Sequence, residues 1–441
     1  MSSIIKVNTV QDADGNNIIN ESGDVITVGA SGDTVTVAGN VVKSNALQAS
    51  DGGNVVSQSG TTITIGASGD TVALASGASQ TGFGQAARPG ANPIIINGDC
   101  VVAQRGTANA DESTSGIYRV DRMNVGLSSI GEFRLSQESI SSGDAYDDGF
   151  TKAFRIDCAV ADASPASGDI ANMTYKLEGN TVQAFKKGTS NAQKATLAFY
   201  VKCSKTGTAQ VNLIAGSRMV SATYTVSSAN TWEKKVVNFP ADTSGAITND
   251  SNKGMEIEWA LDAGSDFTTG TVPSAWESTA NVDRSVNDFA LQDNTANDWA
   301  ITGIQLEVGE FSATTIPPFQ FESFGDNLSR CQRYCFSEPT GSGDAYHLIC
   351  NGFYPNTSLF IGIINLPTTM RGEPSITTSG SFQTASISDK TASSFTSTDN
   401  AVGEINSVQI RASVSSVTAG DGANLRNAND ANARFILTAE L

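Results

Sequence analysis

The single histidine of this chain limits the chemistry that its side chains could perform. A Ser-His-Asp or Cys-His catalytic device needs an imidazole to carry the proton, and the 441 residues contain one histidine, His347. It follows Tyr346 in a short polar stretch with no nucleophile elbow nearby. The sequence therefore favours a surface or core histidine over a catalytic base.

Carboxylates are the other groups that could do chemistry. Glycosidases need only two suitably placed carboxyl groups, and 45 acidic residues offer many pairs. A glycan-degrading activity thus stays open as an alternative, although such depolymerases usually use a long β-helix and no run of many short coils is present. No phosphate-binding glycine loop precedes a helix. We expect a protein that is not an enzyme and that uses no cofactor.

Two groups of residues have metal-ligating types. Asp144, Asp147 and Asp148 could hold calcium, but their spacing does not fit an EF-hand loop, and a polar turn is favoured. Cys331 and Cys335 lie four residues apart with no histidine or second cysteine pair nearby, so we expect no metal there. The six cysteines form no CxxC pair. Most of them lie in apolar, strand-like contexts, and the expected reducing compartment favours buried free thiols over disulfides.

Charge and hydropathy exclude several classes of partner. The net charge is 27 − 45 = −18, and no basic cluster is present, which argues against nucleic acid as a partner. No apolar run approaches the roughly 20 residues of a membrane span. The first residues lack the apolar core of a signal peptide, so we expect synthesis in a cytoplasm and no membrane insertion.

The elements that must position these residues are mostly strands. Short alternating apolar runs, bounded by Gly, Ser, Asn and Asp, recur along the chain and predict an all-β fold. The predicted segments are an attachment and repeat region over residues 1–77, a linker over 78–91, a jelly-roll domain over 92–324, a hinge helix over 325–336 and a smaller distal β-domain over 337–441.

An internal repeat with an offset of 37 residues occupies residues 14–77. Each copy predicts three short strands, which are too small to bury a core alone. Three parallel chains wound about one axis would bury their apolar rows together, so we expect an intertwined trimeric β shaft whose core includes Ile26, Val28, Ile63 and Ile65. A flexible linker is the alternative.

The central domain shows strand periodicity in several places. Leu197, Phe199 and Val201 share one face of a strand, and residues 255–261 show the same alternation, as expected for two packed sheets. Residues 301–308 also alternate with a period of two. A Pro317-Pro318 elbow follows, and then a short helix for which Asp326 is the predicted N-cap, with Leu328, Cys331 and Cys335 on one face.

One stretch carries a resemblance to a known class of proteins. The motifs are Ile301-Thr302-Gly303-Ile304-Gln305-Leu306-Glu307-Val308-Gly309 and Cys331-Gln332-Arg333-Tyr334. This order resembles the junction of bacteriophage tail-fibre and related virion proteins, whose jelly-roll scaffold is similar to carbohydrate-binding modules.

The resemblance implies a function and a set of partners. The chain would be a homotrimeric appendage of the virion tail, assembled in the host cytoplasm and attached to other tail proteins through its N-terminal region. It would mediate host adsorption by binding a cell-surface receptor, a glycan or a protein. A purely structural virion component, such as a head fibre or tail connector, is the alternative, with a glycan-degrading tailspike as a third.

Aromatic residues in polar loops are the candidates for receptor binding, because a flat ring covers the C–H face of a sugar. The candidates are Trp276 in the central domain and Tyr346, His347, Phe353 and Tyr354 at the start of the distal domain. Packing at a domain or subunit contact is the alternative for each. Two long polar segments of the distal domain, residues 377–400 and 418–432, are interpreted as separating its strands.

Overall fold

The computed structural model describes most of the chain from residue 93 onward and short segments before it. The described residues are 8–11, 13, 15, 17–22, 25–28, 46–48, 54–59, 62–65, 93–107, 110–287, 289–338, 345–397 and 405–441. They belong to two compact units, Met1–Gly82 and Phe83–Leu441. The predicted linker over residues 78–91 lies outside the described residues.

The first unit contains two small antiparallel sheets of three strands each. Their strands are β1 Thr9–Gln11, β2 Asn17–Ser22, β3 Val25–Val28, β4 Ala46–Gln48, β5 Asn54–Ser59 and β6 Thr62–Ile65. Corresponding strands begin 37 residues apart, since 46 − 9, 54 − 17 and 62 − 25 all equal 37. The predicted repeat of three short strands is therefore confirmed.

One face of each small sheet carries a row of exposed apolar side chains. In the first sheet, Val10 lies opposite Ile19, and Ile19 lies opposite Val28. Val28 is 51% exposed, and its equivalent in the second sheet, Ile65, is 47% exposed. The side chains of Ile26 and Ile63 lie outside the described set. A sheet this small leaves its apolar row open to solvent.

The second unit begins with a two-sheet β-sandwich. Its strands are β7 Ala110–Glu112, β8 Ile117–Tyr118, β9 Asn124–Ser128, β10 Glu132–Ser139, β11 Lys152–Val160, β12 Ile170–Glu178, β13 Ala195–Cys203, β14 Gly207–Ala215, β15 Arg218–Val226, β16 Glu233–Phe239, β17 Lys253–Ala263, β18 Glu277–Ser278 and β19 Asp298–Val308. One sheet has the order β16-β13-β19-β11-β10-β7 and the other β18-β15-β14-β17-β12-β9-β8. Short helices α1 Asp144–Asp147 and α2 Ser265–Thr268 lie between strands, as do 3-10 turns at Gly179–Phe185, Asn281–Asp283 and Leu291–Asp293.

The core of the sandwich lies between the two sheets. Phe199 of β13 packs edge-to-face against Tyr224 and Trp259 of the opposite sheet, with ring centroids 5.1 and 5.7 Å apart. Leu197 and Val201, on the same face as Phe199, are also fully buried. The alternation seen in the sequence therefore identified the buried faces, and the predicted all-β sandwich is confirmed.

A helix connects the sandwich to the distal domain. α3 spans Phe324–Gln332, and its N-cap is Ser323, whose Oγ accepts a hydrogen bond from the Asp326 amide at 3.2 Å. The predicted N-cap at Asp326 is wrong, because Asp326 lies in the first turn of the helix and its carboxylate accepts a hydrogen bond from Ser323 Oγ at 2.6 Å. In the first turn a negative charge interacts favourably with the helix dipole. Cys335 lies beyond the helix in a strand.

The distal domain is a closed barrel beside a small sheet. Its strands are β20 Cys335–Glu338, β21 Leu348–Asn356, β22 Leu359–Met370, β23 Ser375–Ser379, β24 Phe382–Ala385, β25 Asp389–Ser397, β26 Ile405–Ser413, β27 Gly422–Asn427 and β28 Arg434–Thr438. The barrel order is β21-β22-β26-β25-β24-β27, and β20, β28 and β23 form the small sheet.

The interpretation of residues 377–400 and 418–432 as separators between strands is wrong, because β24, β25 and β27 lie within them. Only the inward positions of these strands carry buried apolar side chains, such as Phe382, Ala392 and Leu425. Their outward positions carry polar residues that water can solvate, so hydrophobic runs did not reveal these strands.

Two further predictions concern cysteines and membranes. All six cysteines are free and buried, as predicted. Among the described residues, no helix has the length and apolar character needed to cross a membrane.

Candidate functional site

A cavity of about 350 Å³ lies on the outer face of the six-stranded sheet. Tyr200 of β13 marks this face, because its neighbour Phe199 points into the sandwich core while Tyr200 belongs to a separate cluster on the opposite side. The Pro317-Pro318 elbow lines the cavity on another side. The cavity is therefore built where the last strand of the sandwich turns toward α3.

Four aromatic rings contribute to this cavity. Phe150 lies 4.9 Å from Phe319, 5.0 Å from Phe321 and 5.5 Å from Tyr200, measured between ring centroids. Phe319 and Phe321 contact each other at 4.9 Å. Phe150 and Tyr200 are buried, whereas Phe321 is 51% exposed. The exposed ring of Phe321 thus packs against the buried ring of Phe150, which holds it at the surface.

Two glycines make this packing possible. Gly303 of β19 has φ +61°, and a Cβ there would lie 2.8 Å from Cζ of Phe150. Gly149 has φ +98°, and a Cβ there would lie 3.2 Å from Cζ of Phe321. Both positions need the left-handed backbone that glycine adopts easily. The two glycines therefore admit the aromatic rings to the sheet surface.

Polar groups line the cavity beside the rings. The Tyr200 hydroxyl donates a hydrogen bond to the Asp148 carboxylate, and Lys234 Nζ lies 3.8 Å from Asp148 Oδ2. Burial, reinforced by the Asp148 carboxylate, raises the pKa of Tyr200, so the phenol stays protonated at neutral pH. Gln305 donates to the main-chain oxygen of Pro317 at 3.0 Å, which fixes its amide at the wall.

The arrangement combines ring surfaces with hydrogen-bonding groups of several kinds. A carboxylate, an ammonium group and a carboxamide lie within one cavity that is otherwise apolar. Such a site suits a polar ligand that also has an apolar face, because the rings cover C–H groups while the polar groups bind hydroxyls. Over the residues that the structure describes, no cluster of His, Cys, Asp and Glu is arranged to hold a metal ion.

The sequence did not identify this site. Asp148, one of the three aspartates for which the sequence favours a polar turn, follows α1 and accepts a hydrogen bond from the Tyr200 hydroxyl. The alternation of Phe319 and Phe321 after the elbow is the signal that could have indicated a clustered aromatic surface. Their distance in sequence from Phe150 hid the partner ring.

Trp276, predicted as a receptor contact, packs against the sandwich core. Its indole N–H donates to the main-chain oxygen of Pro240 at 2.8 Å. Lys187 Nζ lies 4.7 Å from the ring centroid. These contacts pack Trp276 within the sandwich itself, and its predicted role in receptor binding stays a prediction.

Tyr346 and His347 lie together immediately before β21. Tyr346 is exposed, and the guanidinium of Arg426 lies 4.8 Å from its ring centroid. His347 Nε2 is 3.0 Å from Glu338 Oε2, and its main-chain N–H donates to Asn427 at 2.7 Å. Tyr346 therefore remains available at the surface, while His347 forms a local ion pair when protonated.

Phe353 and Tyr354 point to opposite sides of the barrel wall. Phe353 is exposed, and Tyr354 is buried with its hydroxyl donating to Thr384 Oγ1 at 2.8 Å. Tyr354 fills the barrel core beside Phe360. The five predicted candidates thus do not converge on one site. None of them lines the cavity formed by Phe150, Tyr200, Phe319 and Phe321, which we call the aromatic cavity.

Comparison with known proteins gives no family assignment. No family model and no curated protein matches the chain. Among solved structures, it is similar to the enzymatically active domain of tailspike protein 4 of bacteriophage CBA120, with 13% identity and a TM-score of 0.24. That alignment covers 49% of this chain and 21% of the tailspike chain, so it spans about a fifth of that protein.

Two other solved structures align over nearly their full length. The family 11 carbohydrate-binding module of a Clostridium thermocellum cellulosomal cellulase has 10% identity, a TM-score of 0.23, and coverage of 47% of this chain and 99% of the module. A putative sugar binding protein from Bacteroides thetaiotaomicron has 12% identity, a TM-score of 0.28, and coverage of 49% and 100%. All three TM-scores are low, so these similarities carry no conclusion about what this chain binds.

Proposed function

We propose that this chain is a non-enzymatic adhesin of a virion tail fibre, or of a similar appendage, and that it binds a host cell-surface glycan in the aromatic cavity. The protein would act as a homotrimer in the virion tail. Its N-terminal region would attach to other tail proteins. The proposal combines the motif resemblance with a site whose chemistry suits a saccharide.

The observation that carries the proposal is the exposed ring of Phe321 beside Asp148 and Lys234. A pyranose has C–H groups on its faces and hydroxyls at its edge, so one ring surface and nearby charged groups can bind both features. The packed base formed by Phe150 holds the platform in place, which lowers the entropy cost of fixing it on binding.

The exposed apolar rows of the first unit support a trimer. The row formed by Val10, Ile19 and Val28 recurs in the second repeat as Val56 and Ile65. Each row would gain hydrophobic stabilisation if other copies of the chain covered it, at roughly 25 cal/mol per Å² of apolar surface. A repeated row in register along the chain suits a shaft of identical chains.

The test compares two phenylalanines that are similarly exposed. Phe321→Ala removes the ring from the cavity, while Phe324→Ala removes a ring that is 60% exposed on α3 and does not line it. Binding of each purified trimer to host cells and to immobilised host glycan is measured. We expect Phe321→Ala to weaken binding by at least about tenfold and Phe324→Ala to bind as the unchanged protein does.

Equal binding by both variants would reject the cavity as the receptor site. If Tyr346→Ala then weakened adsorption, the receptor site would lie in the distal domain. If a variant lacking residues 337–441 and a Phe321→Ala variant both adsorbed normally, the purely structural role would be favoured. Release of reducing ends from host polysaccharide would instead indicate a glycan-degrading enzyme.

A further inference from the structure

Two oxygens that line the aromatic cavity have no hydrogen-bond donor in the described part of the chain. Both contacts of the Asp148 carboxylate, from the Tyr200 hydroxyl and from Lys234 Nζ, are made through Oδ2, so Oδ1 stays free. Gln305 is only 8% exposed. Its amide nitrogen donates twice, at 3.0 Å each time, while its Oε1 accepts no hydrogen bond. A buried acceptor without a partner favours a ligand that brings donors.

The side-chain donors that line the cavity already contact acceptors of the protein. The Tyr200 hydroxyl donates to Asp148. Burial raises the pKa of Tyr200, so the phenol adds no negative charge at neutral pH. Lys234 Nζ lies 3.8 Å from Asp148 Oδ2 and 5.6 Å from the Tyr200 ring centroid. The side-chain polar atoms left open to a ligand are therefore acceptors.

Helix α1 adds negative charge beside the cavity. Asp144 and Asp147 are exposed, and neither forms an ion pair with a residue that the structure describes. Asp144 lies close enough to Tyr200 to add to the burial that raises its pKa. Lys202, the next cation on this face of β13, is paired with Glu138 at 2.6 Å. The cavity carboxylate and these two aspartates thus outnumber one ammonium group, and the local charge is negative.

This environment already accommodates one ammonium group. Lys234 lies beside the ring of Tyr200 and the carboxylate of Asp148, which are the two kinds of group that attract a cation. The 3.8 Å separation is longer than a direct hydrogen bond, and the Lys234 side chain is 37% exposed, so the pair is loose. The ring of Phe321 is 51% exposed. It can therefore cover a second cationic group.

We propose that the aromatic cavity selects a protonated amino sugar of the host glycan, with its ammonium group at Asp148 Oδ1 and its apolar face on Phe321. This inference rests on the proposed function of the cavity and adds the chemical class of the saccharide. A primary ammonium group donates charge-assisted hydrogen bonds to the free oxygens of Asp148 and Gln305. A quaternary ammonium has no N–H for these oxygens, and a uronic acid would bring a carboxylate to a negative surface.

Lys234 gives the proposal a test by sign. Its ammonium group competes with the ligand for Asp148 and repels it, so Lys234→Gln should tighten the binding of an amino sugar. The same substitution would weaken the binding of an acidic sugar, because a favourable charge is lost. It should leave the binding of a neutral sugar almost unchanged.

The experiment is a ligand-detected NMR titration of the full chain with three methyl β-glycosides, those of D-glucosamine, D-glucose and D-glucuronic acid. It is performed at pH 6.0, where the amine is protonated. Glucosamine should bind at least about fivefold more tightly than glucose, and glucuronic acid more weakly than glucose. Lys234→Gln should raise the affinity for glucosamine by about twofold or more. Lys194→Gln, which changes the net charge equally at an exposed pair with Glu310, should not.

Two further variants test the acidic side of the site. Asp148→Asn should remove the preference for glucosamine over glucose, while Glu310→Gln, its matched control, should keep it. Because Asp148 also accepts from Tyr200, a change there could disturb the fold. Asp144→Asn removes an exposed charge without breaking a described side-chain contact, so it should weaken glucosamine binding and leave the melting temperature of the free protein unchanged.

The amino-sugar preference is overturned if glucose binds as tightly as glucosamine, if glucuronic acid binds more tightly than glucose, if none of the three binds, or if Lys234→Gln weakens glucosamine binding. Two results separate this inference from the proposed function. Equal binding of glucosamine and glucose, both lost in Phe321→Ala, would keep the cavity as a saccharide site and reject only the amino sugar. Glucosamine binding that survives Phe321→Ala would reject the cavity itself.

Discussion

Arg333 and Glu178 form a bidentate ion pair, in which Arg333 Nε donates to Oε1 at 2.7 Å and Nη2 donates to Oε2 at 2.8 Å. The Tyr334 hydroxyl donates to the same carboxylate at 2.5 Å, and the guanidinium of Arg122 lies 3.5 Å from the Tyr334 ring centroid. The Cys-Gln-Arg-Tyr motif therefore joins the segment after α3 to the end of β12.

Replacing Arg333 should destabilise this junction strongly. Arg333→Met keeps an apolar stem but leaves the Glu178 carboxylate, which is buried, without its cation. Breaking a buried pair in this way costs about 3–5 kcal/mol. The free energy of unfolding, measured by urea titration, is expected to fall by a large part of that amount. Lys194→Met, which removes an exposed pair with Glu310, should change it by less than about 1 kcal/mol.

The pH dependence of the Arg333 effect has a defined sign. Burial acts to raise the pKa of Glu178, but the bonds from Arg333 and Tyr334 outweigh it and hold the pKa below its usual value. The stabilisation is therefore present above the unfolded-state pKa and is lost as pH falls through the folded-state value. A difference between Arg333→Met and the unchanged protein that grew on acidification would contradict this account.

Asp121 should show the opposite pH dependence. Burial raises its pKa to about 6, although Arg105 acts to lower it. The folded protein thus retains a proton that the unfolded chain loses near pH 4, and the associated stability declines as pH rises through 6. The free energy of unfolding of the unchanged protein, relative to Asp121→Asn, should fall by about 1 kcal/mol between pH 5.0 and 7.5.

The measurement for Asp121 is a pair of urea titrations for each protein at the two pH values. Asp121→Asn is the appropriate reference because it resembles the protonated carboxyl and titrates no proton. A relative stability that stayed constant between pH 5.0 and 7.5 would mean that Arg105 outweighs burial and that the pKa of Asp121 is not raised, because a carboxyl with an ordinary or lowered pKa is ionised in both states over this range.

Gly303 should be needed for two reasons, its left-handed backbone conformation and its close contact with the Phe150 ring of the aromatic cavity. Gly303→Ala places a Cβ at φ +61° and 2.8 Å from the Phe150 ring, which adds overpacking of about 1–3 kcal/mol to a backbone cost of about 1 kcal/mol. Gly216, in the β14–β15 turn, has the same φ of +61°, and a Cβ there would meet no atom within 4 Å. Gly216→Ala should therefore show only the backbone cost.

Thermal unfolding of the two alanine variants separates these contributions. The melting temperature should fall further for Gly303→Ala than for Gly216→Ala, and the excess measures the contact with Phe150. If the two melting temperatures were equal, the sheet would accommodate a side chain at position 303 and the cavity would not depend on glycine there.

Strand alternation was the part of the fold that could be predicted from sequence. Phe199 and Trp259 lie in long runs with a period of two, which buried sheets impose on their residues. The strands of the barrel were missed where their outward positions are polar, as in β25. Neither the alternation of the sandwich strands nor the polar pattern of the barrel strands predicts which strands pair, because register depends on contacts between residues far apart in sequence.

The aromatic cavity shows why a site is harder to predict than a strand. Phe150 and Phe321 come into contact only because β11, β13 and β19 are neighbours in one sheet and the elbow returns the chain over that sheet. The polar neighbours of Trp276 in sequence suggested an exposed ring. In the structure, Lys187 lies over that ring and the indole N–H donates to the main-chain oxygen of Pro240. The polarity of the residues next to Trp276 in sequence therefore did not predict its contacts in the folded protein.

A substitution at Val28 tests assembly of the trimeric shaft separately from the folding of a single chain. Its side chain is 51% exposed in its own sheet, so Val28→Asp should not disturb a single chain. In a trimer with this row at the axis, three carboxylates would meet in a dry interior, where each costs several kcal/mol. Light scattering should then show loss of a species of about three times 45.7 kDa, while the sandwich melts as before.

Val28→Thr is the matched control for this experiment, because threonine has nearly the shape of valine and carries no charge. It should still form trimers, with reduced thermal stability of the shaft. Trimers formed equally well by Val28→Asp would show that this row does not face a common axis. A monomer at micromolar concentration for the unchanged protein would reject the trimeric shaft itself, and the exposed rows would then have to bind a different partner.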